Sequence, residues 1–169
     1  MEMVDKFNNK RQPLNKVTER YEHIDGEYRQ AVHVWIINDE GNLLFQKRAE
    51  TKRSFPGLWS VTGGGVDTGE TTLDALYRET KEELGVIIEP ENVELMMSFK
   101  VKRTFTDIYL VRQNIDINSL ILQKEEVSDA KYIKYSAFQN MINEGIVAPN
   151  VAFYAEIMYK LINIDESKI

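Results

Sequence analysis

The sequence predicts one mixed α/β (α+β) domain, in which strands and helices are interspersed and the strands need not all be parallel. The length of 169 residues suits a single domain. Hydrophobic residues make up 43% of the chain and charged residues 28%, which is an ordinary globular composition. Strand-like runs near the start, a helical segment in the middle and helical segments at the end together indicate this fold class.

Two neighbouring strand-like runs begin the predicted domain. The runs "AVHVWII" (31–37) and "NLLFQKR" (42–48) are rich in β-branched and large apolar residues. They flank the turn sequence "NDEGN", so we expect a hairpin. Residues 1–29 are polar, and we interpret them as an N-terminal extension or a first edge strand. The domain itself is expected to cover residues 30–163.

A helix is predicted over residues 70–84, directly after a glycine-rich turn. The segment "FPGLWSVTGGG" is typical of a loop and a short strand that enter this turn. Gly85 supplies the expected stop of the helix. The positions that recur with helical spacing and are expected to face the core are Leu73, Leu76, Tyr77, Thr80 and Leu84.

The second half of the chain predicts three more strands and two more helices. The strand-like runs are "ELMMSFKV", "FTDIYLVRQ" and, after the charged loop "LQKEEVSD", "AKYIKY". The segment "SAFQNMINEG" predicts a helix with Ser136 as its N-cap and Gly145 as its stop. The last segment, "VAFYAEIMYKLIN", predicts a helix whose apolar face could cover the sheet or form a homodimer surface.

Composition and charge exclude several classes of function. The net charge of −6 argues against binding to a nucleic-acid duplex, which depends on Lys and Arg side chains that neutralise phosphates. The chain has no cysteine, so disulfides, thiolate metal sites and cysteine nucleophiles are excluded. No apolar run approaches the ~20 residues of a membrane span, and the start "MEMVDKFNNKRQ" lacks the apolar core of a signal peptide. We therefore expect a cytoplasmic protein without a membrane partner.

The predicted helix carries three glutamates on one edge. Glu79 and Glu83 are one helical turn apart, and Glu82 lies beside them. Like charges at this spacing repel each other, so the cluster needs either a solvated face or a cation. Carboxylate oxygens are the ligands that Mg²⁺ and Mn²⁺ prefer. Arg78 can reach Glu70, about two turns before it, and we expect this pair to brace the glycine turn against the helix.

A longer spaced pattern surrounds these glutamates. Its residues are Gly64, Glu70, Arg78, Glu79, Glu82, Glu83, Gly85 and Val86. This pattern resembles the Nudix box, and the resemblance implies the Nudix fold, with a mixed β-sheet between helices. It also implies cleavage of a diphosphate bond assisted by Mg²⁺ or Mn²⁺, with Glu79, Glu82 and Glu83 as metal ligands and the Gly64 carbonyl as a further candidate. Thr80 departs from the family pattern, which usually has an aliphatic residue there, and should affect packing more than chemistry.

The tract "VHVWIINDEGNLLFQKRAETKRSFPGLWSV" looks like the isopentenyl-diphosphate isomerase branch of this family and its hydrolase relatives. In the isomerases an arginine and a lysine four residues apart grip the substrate diphosphate, and these positions fall on Arg48 and Lys52. The short loop carries four basic residues and one glutamate, which makes a local basic patch on an acidic protein. A solvated basic loop is the alternative interpretation.

Isomerase chemistry itself is not expected from this resemblance. The isomerase cysteine falls on Gly63, and two metal-binding histidines fall on Gly65 and Arg29. Glu79 and Glu82, which those isomerases lack, are present. The resemblance therefore implies attack of metal-activated water on phosphorus in a small-molecule diphosphate, such as a nucleoside diphosphate derivative. An isomerase-like protein and a non-catalytic nucleotide-diphosphate sensor are the alternatives.

Two carboxylates are candidates for the general base that accepts a proton from water. Glu82 comes first because it lies within the acidic cluster. Glu126, with Glu125 as its alternate, comes second because Nudix enzymes often bring an acid from a later loop. A plain solvated loop is the alternative for "KEEV". His33 alternates with valines in a predicted strand and is expected to be structural.

Overall fold

The computed structural model describes residues 2–163, so Met1 of the predicted N-terminal extension lies outside the described residues. The strands are β1 (Met3–Phe7), β2 (Pro13–Glu19), β3 (Arg29–Ile37), β4 (Leu43–Arg48), β5 (Trp59–Ser60), β6 (Thr62–Gly65), β7 (Val93–Val101), β8 (Thr104–Arg112) and β9 (Val127–Ile133). The helices are α1 (Thr72–Leu84), α2 (Tyr135–Asn143), α3 (Pro149–Ala152) and α4 (Ala155–Ile162).

The main sheet is mixed and is organised around β3. On one side, β3 pairs in parallel with β8 along its whole length, and β7 then pairs antiparallel with β8. On the other side, the first half of β3 pairs antiparallel with β6, whereas its last residues, Ile36 and Ile37, pair with β4. β4 in turn pairs antiparallel with β5 and β9. The predicted β3–β4 hairpin is therefore present, although its paired part is short.

Helices cover both faces of this sheet, as predicted. One face packs against α2, α3 and α4 through a buried cluster that includes Trp35, Phe45 and Tyr154. The other face packs against α1 through a second cluster that includes Val34 and Leu76. Because successive side chains of a strand point to opposite faces, the apolar run of β3 contributes to both clusters.

Helix α1 begins at Thr72 and not at Glu70 as predicted, and Glu70 lies in the turn before the helix. Thr71 is the N-cap, and it forms a capping box with Asp74. Gly85 ends the helix in the left-handed conformation, with a φ of 70°, as predicted.

The core-facing stripe predicted for α1 is wrong at its first position. Leu76, Thr80 and Leu84 are 0% exposed, whereas Leu73 is 38% exposed. The Thr80 hydroxyl donates to the Leu76 carbonyl oxygen at 2.8 Å, so its buried polar group is satisfied. This hydrogen bond explains how a threonine occupies a position where the family usually has an aliphatic residue.

The N-cap predicted for the helix of residues 136–145 is wrong. α2 begins at Tyr135 after the cap residue Lys134, and Ser136 lies inside its first turn. Gly145 follows the helix with a φ of 73°, which suits its predicted role near the end. Among residues 2–163, no helix is both long enough and apolar enough to cross a lipid bilayer.

The last predicted helix is two helices, α3 and α4. The chain turns at Phe153 and Tyr154, between Ala152 and Ala155. The Tyr154 side chain is 1% exposed, and its hydroxyl accepts a hydrogen bond from Trp35 Nε1 at 3.0 Å. The break therefore places a large aromatic side chain in the core, which the apolar periodicity alone does not reveal.

The N-terminal segment folds as a hairpin rather than as a single edge strand. β1 and β2 pair antiparallel in a separate two-stranded sheet. The hairpin is attached to the main sheet by Arg11, whose guanidinium pairs with Asp107 of β8 at 2.5 Å. A bridge between Phe7 and Tyr28 also places the hairpin next to the start of β3.

Candidate functional site

The glycines of the box form β6 and bring its backbone close to α1. Gly63 pairs with His33 and Gly64 with Val32 across the two strands. Gly63 has a φ of 148°, and a Cβ atom there would overlap the Val32 carbonyl oxygen. A Cβ atom on Gly64 would overlap the Glu79 carboxylate. Both positions therefore favour glycine, and the Glu79 carboxylate lies directly against the backbone of the turn.

The three glutamates of α1 face this turn at different depths. Glu79 is 8% exposed and Glu83 is 2% exposed, while the side chain of Glu82 is 52% exposed. Glu83 lies behind Gly63, and its Oε2 accepts hydrogen bonds from the Gly63 N–H at 3.2 Å and from Gln46 Nε2 at 2.8 Å. The acidic edge is thus half buried against the glycine turn, so the alternative of a solvated face does not hold for Glu79 and Glu83.

Arg78 holds the turn and the helix together. Its guanidinium donates to both carboxylate oxygens of Glu70, at 2.8 and 2.9 Å, so the pair predicted from the sequence is present. It also donates to the Gly65 carbonyl oxygen at 3.0 Å, to Glu79 at 2.9 Å and to Glu82 at 3.3 Å. A single cation therefore offsets part of the repulsion between these carboxylates.

Burial makes the ionised form of the two inner carboxylates unfavourable. Burial, together with the nearby charge of Glu79, raises the pKa of Glu83 to about 8. Burial also raises the pKa of Glu79, although Arg78 opposes this shift. A cation bound next to both groups would reverse this preference, because it favours the ionised carboxylates.

The donor set fits a divalent cation. The carboxylates of Glu79, Glu82 and Glu83 and the carbonyl of Gly64 are oxygen ligands of the kind that Mg²⁺ and Mn²⁺ take. The Glu79 carboxylate lies close to the Gly64 backbone, which supplies the candidate carbonyl. Within residues 2–163, however, no three acidic, histidine or cysteine side chains converge on one point. Arg78 holds one part of the cluster in its own hydrogen bonds and Gln46 holds another.

The other predicted site residues share one cleft with the acidic cluster. This cleft has a volume of about 1260 Å³, and its wall includes Arg48, Lys52, Glu79, Glu82 and Glu126. Lys52 Nζ pairs with Glu126 Oε2 at 2.5 Å, and Arg48 Nε donates to the carbonyl oxygen of residue 54 at 2.8 Å. The loop after β4 and the loop before β9 therefore meet here, and the predicted phosphate grip and the second candidate base are in direct contact.

The N-terminal hairpin and the start of β3 supply further cleft residues. Glu2, Arg20, Tyr21 and Arg29 all line the cleft. The Arg20 guanidinium pairs with Glu2 and packs against the backbone of Gly65. The sequence shows these arginines only as basic residues in a polar segment, and their spacing does not indicate contact with the box.

His33 lies on the same cleft wall and is held by protein groups. Its Nδ1 is 2.8 Å from the Tyr154 hydroxyl, and its Nε2 is 3.3 Å from Asn150 Nδ2. Burial, with a smaller contribution from the charge of Arg48, lowers the pKa of His33 to about 4. The imidazole is therefore neutral near pH 7, and these contacts agree with the structural role expected from the sequence.

The sheet, the glycine turn and the carboxylate-bearing helix together define a Nudix domain. The NUDIX domain family matches residues 27–154 of the chain. The chain therefore belongs to the Nudix family, and the predicted fold is confirmed.

Several relatives extend this similarity over most of the chain. An uncharacterized Nudix hydrolase of Listeria monocytogenes is 32% identical over 165 residues, which cover 96% of each protein. Nudix hydrolase 3 of Arabidopsis thaliana is 36% identical over 136 residues, which cover 72% of this chain and 18% of the plant protein. The crystal structure of DR0079 from Deinococcus radiodurans has a TM-score of 0.80 at 22% identity, covers 94% of this chain and 99% of that chain, and shares the fold.

Proposed function

We propose that the chain is a hydrolase that cleaves the diphosphate bond of a nucleoside diphosphate derivative or a related small organic diphosphate. The observation that carries the proposal is the burial of Glu79 and Glu83 against the glycines of β6, beside a cleft of nucleotide size. The nucleoside triphosphatase NudI of Escherichia fergusonii is 35% identical over 109 residues, which cover 59% of this chain and 77% of that protein. This similarity supports a phosphate-containing substrate.

Glu79, Glu82 and Glu83 are the proposed ligands of Mg²⁺ or Mn²⁺, with the Gly64 carbonyl as a further one. When bound, such an ion neutralises charge on phosphate oxygens and lowers the pKa of a water molecule. On binding such an ion, Glu79 and Glu82 would give up their hydrogen bonds with Arg78 and coordinate the ion instead. Glu83 would lose a proton, since its pKa is about 8 without a cation. Arg78 would keep its two hydrogen bonds to Glu70 and so hold the turn in place.

Glu82 is the proposed general base. Its carboxylate is the exposed one of the three, and its contact with Arg78 is longer than those of Glu70 and Glu79. It can therefore accept a proton from a water molecule in the cleft with little rearrangement. Glu126 is the second candidate, but its carboxylate would first have to separate from Lys52.

Arg48 and Lys52 are the proposed grip on the phosphate that stays with the organic group of the substrate. Arg48 uses Nε for a backbone carbonyl, which leaves the N–H donors of its two terminal nitrogens for a ligand. Lys52 would exchange its pairing with Glu126 for a phosphate oxygen. Both side chains line the same cleft as Glu79 and Glu82, which supports this assignment.

Isomerisation of isopentenyl diphosphate is the less favoured alternative. Gly63 stands where the isomerases have their cysteine, and any Cβ atom there would overlap the Val32 carbonyl oxygen. Arg29 pairs with Thr104 across β3 and β8 at the position of an isomerase histidine. A non-catalytic sensor is also less favoured, because a protein that only binds a nucleotide diphosphate has no need for the three carboxylates of Glu79, Glu82 and Glu83.

Turnover on a panel of diphosphates, with Mg²⁺ or Mn²⁺ and with EDTA, tests the proposal. We expect metal-dependent hydrolysis, and a loss of at least about 100-fold in Glu82→Gln and in Glu83→Gln with the fold retained. Glu94→Gln, an exposed site on β7, is the matched control and should keep wild-type activity. Hydrolysis that is equal in EDTA, or near-wild-type activity of either box variant at saturating Mg²⁺, would contradict the ligand assignment.

A further inference from the structure

Three arginines lie around the ring of Tyr21, which is one of the residues that line the cleft. The guanidinium carbon of Arg53 lies 4.4 Å from the centroid of the Tyr21 ring, and those of Arg20 and Arg29 each lie 5.8 Å from it. We call Arg20, Arg29 and Arg53 the arginine cluster. They follow β2, begin β3 and follow β4, respectively, so the fold brings together residues from three separate segments. All three line the cleft.

The arginine cluster carries more positive charge than its protein partners neutralise. Arg20 pairs with Glu2, but within residues 2–163 neither Arg29 nor Arg53 forms an ion pair with a carboxylate. Arg29 donates instead to the Arg20 carbonyl oxygen at 3.2 Å and to Thr104 Oγ1 at 3.4 Å. Burial and the charge of Arg20 lower the pKa of Arg29, which is the direction expected of a partly buried cation without a counter-ion.

The arginine cluster also borders the residues proposed for catalysis. The Arg20 guanidinium packs against Gly65, whose carbonyl oxygen accepts a hydrogen bond from Arg78. Arg78 in turn contacts Glu79. Arg20 Nε is buried and has no acceptor among the described residues. An anionic group bound at the arginine cluster would therefore lie next to the box carboxylates and meet unneutralised guanidinium groups.

We propose that the arginine cluster binds the terminal phosphate of the substrate, and that this phosphate is an uncapped dianion, which means that no organic group is attached to it. Guanidinium groups bind phosphate oxygens through paired N–H donors, and two arginines without carboxylate partners match the charge of a dianion. The inference rests on the proposed function. It narrows the substrate class to nucleoside diphosphates or triphosphates, as opposed to diphosphates with an organic group at both ends.

The reaction of such a substrate has a distinctive product. Hydrolysis of a nucleoside diphosphate consumes one water molecule, breaks one P–O bond of the P–O–P bridge, and yields a nucleoside monophosphate and orthophosphate. A capped diphosphate that is cleaved at the same bridge yields two organic phosphates and no orthophosphate. Direct orthophosphate release, without an added phosphatase, therefore distinguishes hydrolysis of a nucleoside diphosphate from hydrolysis of a capped diphosphate.

Phosphate binding without metal tests the arginine cluster independently of turnover. Inorganic phosphate is titrated calorimetrically in EDTA into the wild type, Arg29→Gln, Arg53→Gln and the control Arg112→Gln, an exposed site at the end of β8. We expect the affinity to fall at least about tenfold in the first two variants and to be unchanged in the control. Because Arg53 lies on an exposed loop, its variant decides the question if Arg29→Gln impairs folding. No binding by the wild type, or equal affinity in Arg53→Gln, would overturn the inference.

Substrate selectivity is the second readout. It is the ratio of kcat/KM for a nucleoside diphosphate to kcat/KM for the matching nucleoside diphosphate sugar. This ratio should fall at least about tenfold in Arg29→Gln and Arg53→Gln and stay at the wild-type value in Arg112→Gln. An unchanged ratio, or a wild type that prefers the capped substrate, overturns the inference and leaves the hydrolase proposal standing. If no diphosphate is hydrolysed, the proposed function fails, and the phosphate titration alone decides whether the arginine cluster binds phosphate.

Discussion

Removing the charge of Glu83 should stabilise the metal-free protein at neutral pH. Burial raises the pKa of this carboxyl from 4.5 to about 8, so the folded state binds a proton more readily than the unfolded state. Between these two values the stability conferred by the protonated group is lost as the pH rises. A pH of 7 is about 2.5 units above 4.5, the pKa of this carboxyl in the unfolded state. At about 1.4 kcal/mol per unit, the loss of unfolding free energy at pH 7 is about 3 kcal/mol.

Urea unfolding in EDTA at pH 5, 6, 7 and 8 measures this loss. Between pH 5 and pH 7 the ionisation of Glu83 should lower the unfolding free energy of the wild type by about 2–3 kcal/mol. This contribution should be absent from the pH profile of Glu83→Gln. A glutamine at this site keeps an oxygen that can accept from Gly63 N–H and Gln46 Nε2. Glu79, whose pKa is also raised, titrates in both proteins, and because its charge interacts with Glu83 the difference between the two profiles reports the pair. Glu94→Gln serves as the control for loss of an exposed charge.

Addition of Mg²⁺ then connects the pH profile to metal binding. The ion should flatten the profile of the wild type, because it stabilises the ionised form of Glu83, and it should stabilise Glu83→Gln much less. Parallel profiles of the two proteins in EDTA would refute the unfavourable burial of this charge. Equal stabilisation of both by Mg²⁺ would refute the assignment of Glu83 as a metal ligand.

Three further predictions concern the cleft and the box turn. Arg48→Ala and Lys52→Ala should raise KM more than they lower kcat in steady-state kinetics, because a side chain that binds a non-reacting phosphate stabilises the ground state and the transition state equally. A loss in kcat alone would mean that Arg48 and Lys52 contact the phosphate under attack instead. Gly64→Ala should abolish turnover and weaken Mn²⁺ binding at least about tenfold, since the new Cβ atom displaces the Glu79 carboxylate, and wild-type Mn²⁺ affinity by calorimetry would contradict this. No deuterium should enter isopentenyl diphosphate in deuterated buffer, and enzyme-dependent incorporation above background would support isomerase chemistry.

The parts of the fold that sequence reasoning predicts correctly depend on signals between neighbouring residues. The apolar run of β3, the glycine after α1 and the spacing of the glutamates are all readable within a few helical turns. The Glu70–Arg78 pair is predictable because the two residues are only eight positions apart and a long arginine side chain can reach back from α1 to the turn before it. The burial of Glu79 and Glu83 depends on where Gly63 and Gly64 lie. Recognition of the box predicts that these glycines form a turn next to the helix.

The parts that sequence reasoning misses depend on contacts between distant segments. The break between α3 and α4 is set by the fit of Tyr154 against Trp35 in the core, which competes with the helical periodicity of the segment. The pairing of Lys52 with Glu126 joins two loops that are far apart in the chain. The arginine cluster is the largest omission, because the N-terminal hairpin has no motif and its place at the cleft is set by tertiary contacts such as that of Arg11 with β8.

The central claim is that α1 and the glycine turn hold a divalent cation at the point where the diphosphate is cleaved. Anomalous diffraction at the manganese absorption edge, from crystals grown with Mn²⁺, tests it most directly. We predict a peak within coordination distance of the Glu79, Glu82 and Glu83 carboxylates, with Arg78 still bound to Glu70. A peak elsewhere in the cleft, or none at saturating Mn²⁺ while Arg78 keeps its hydrogen bonds to Glu79 and Glu82, would contradict the claim.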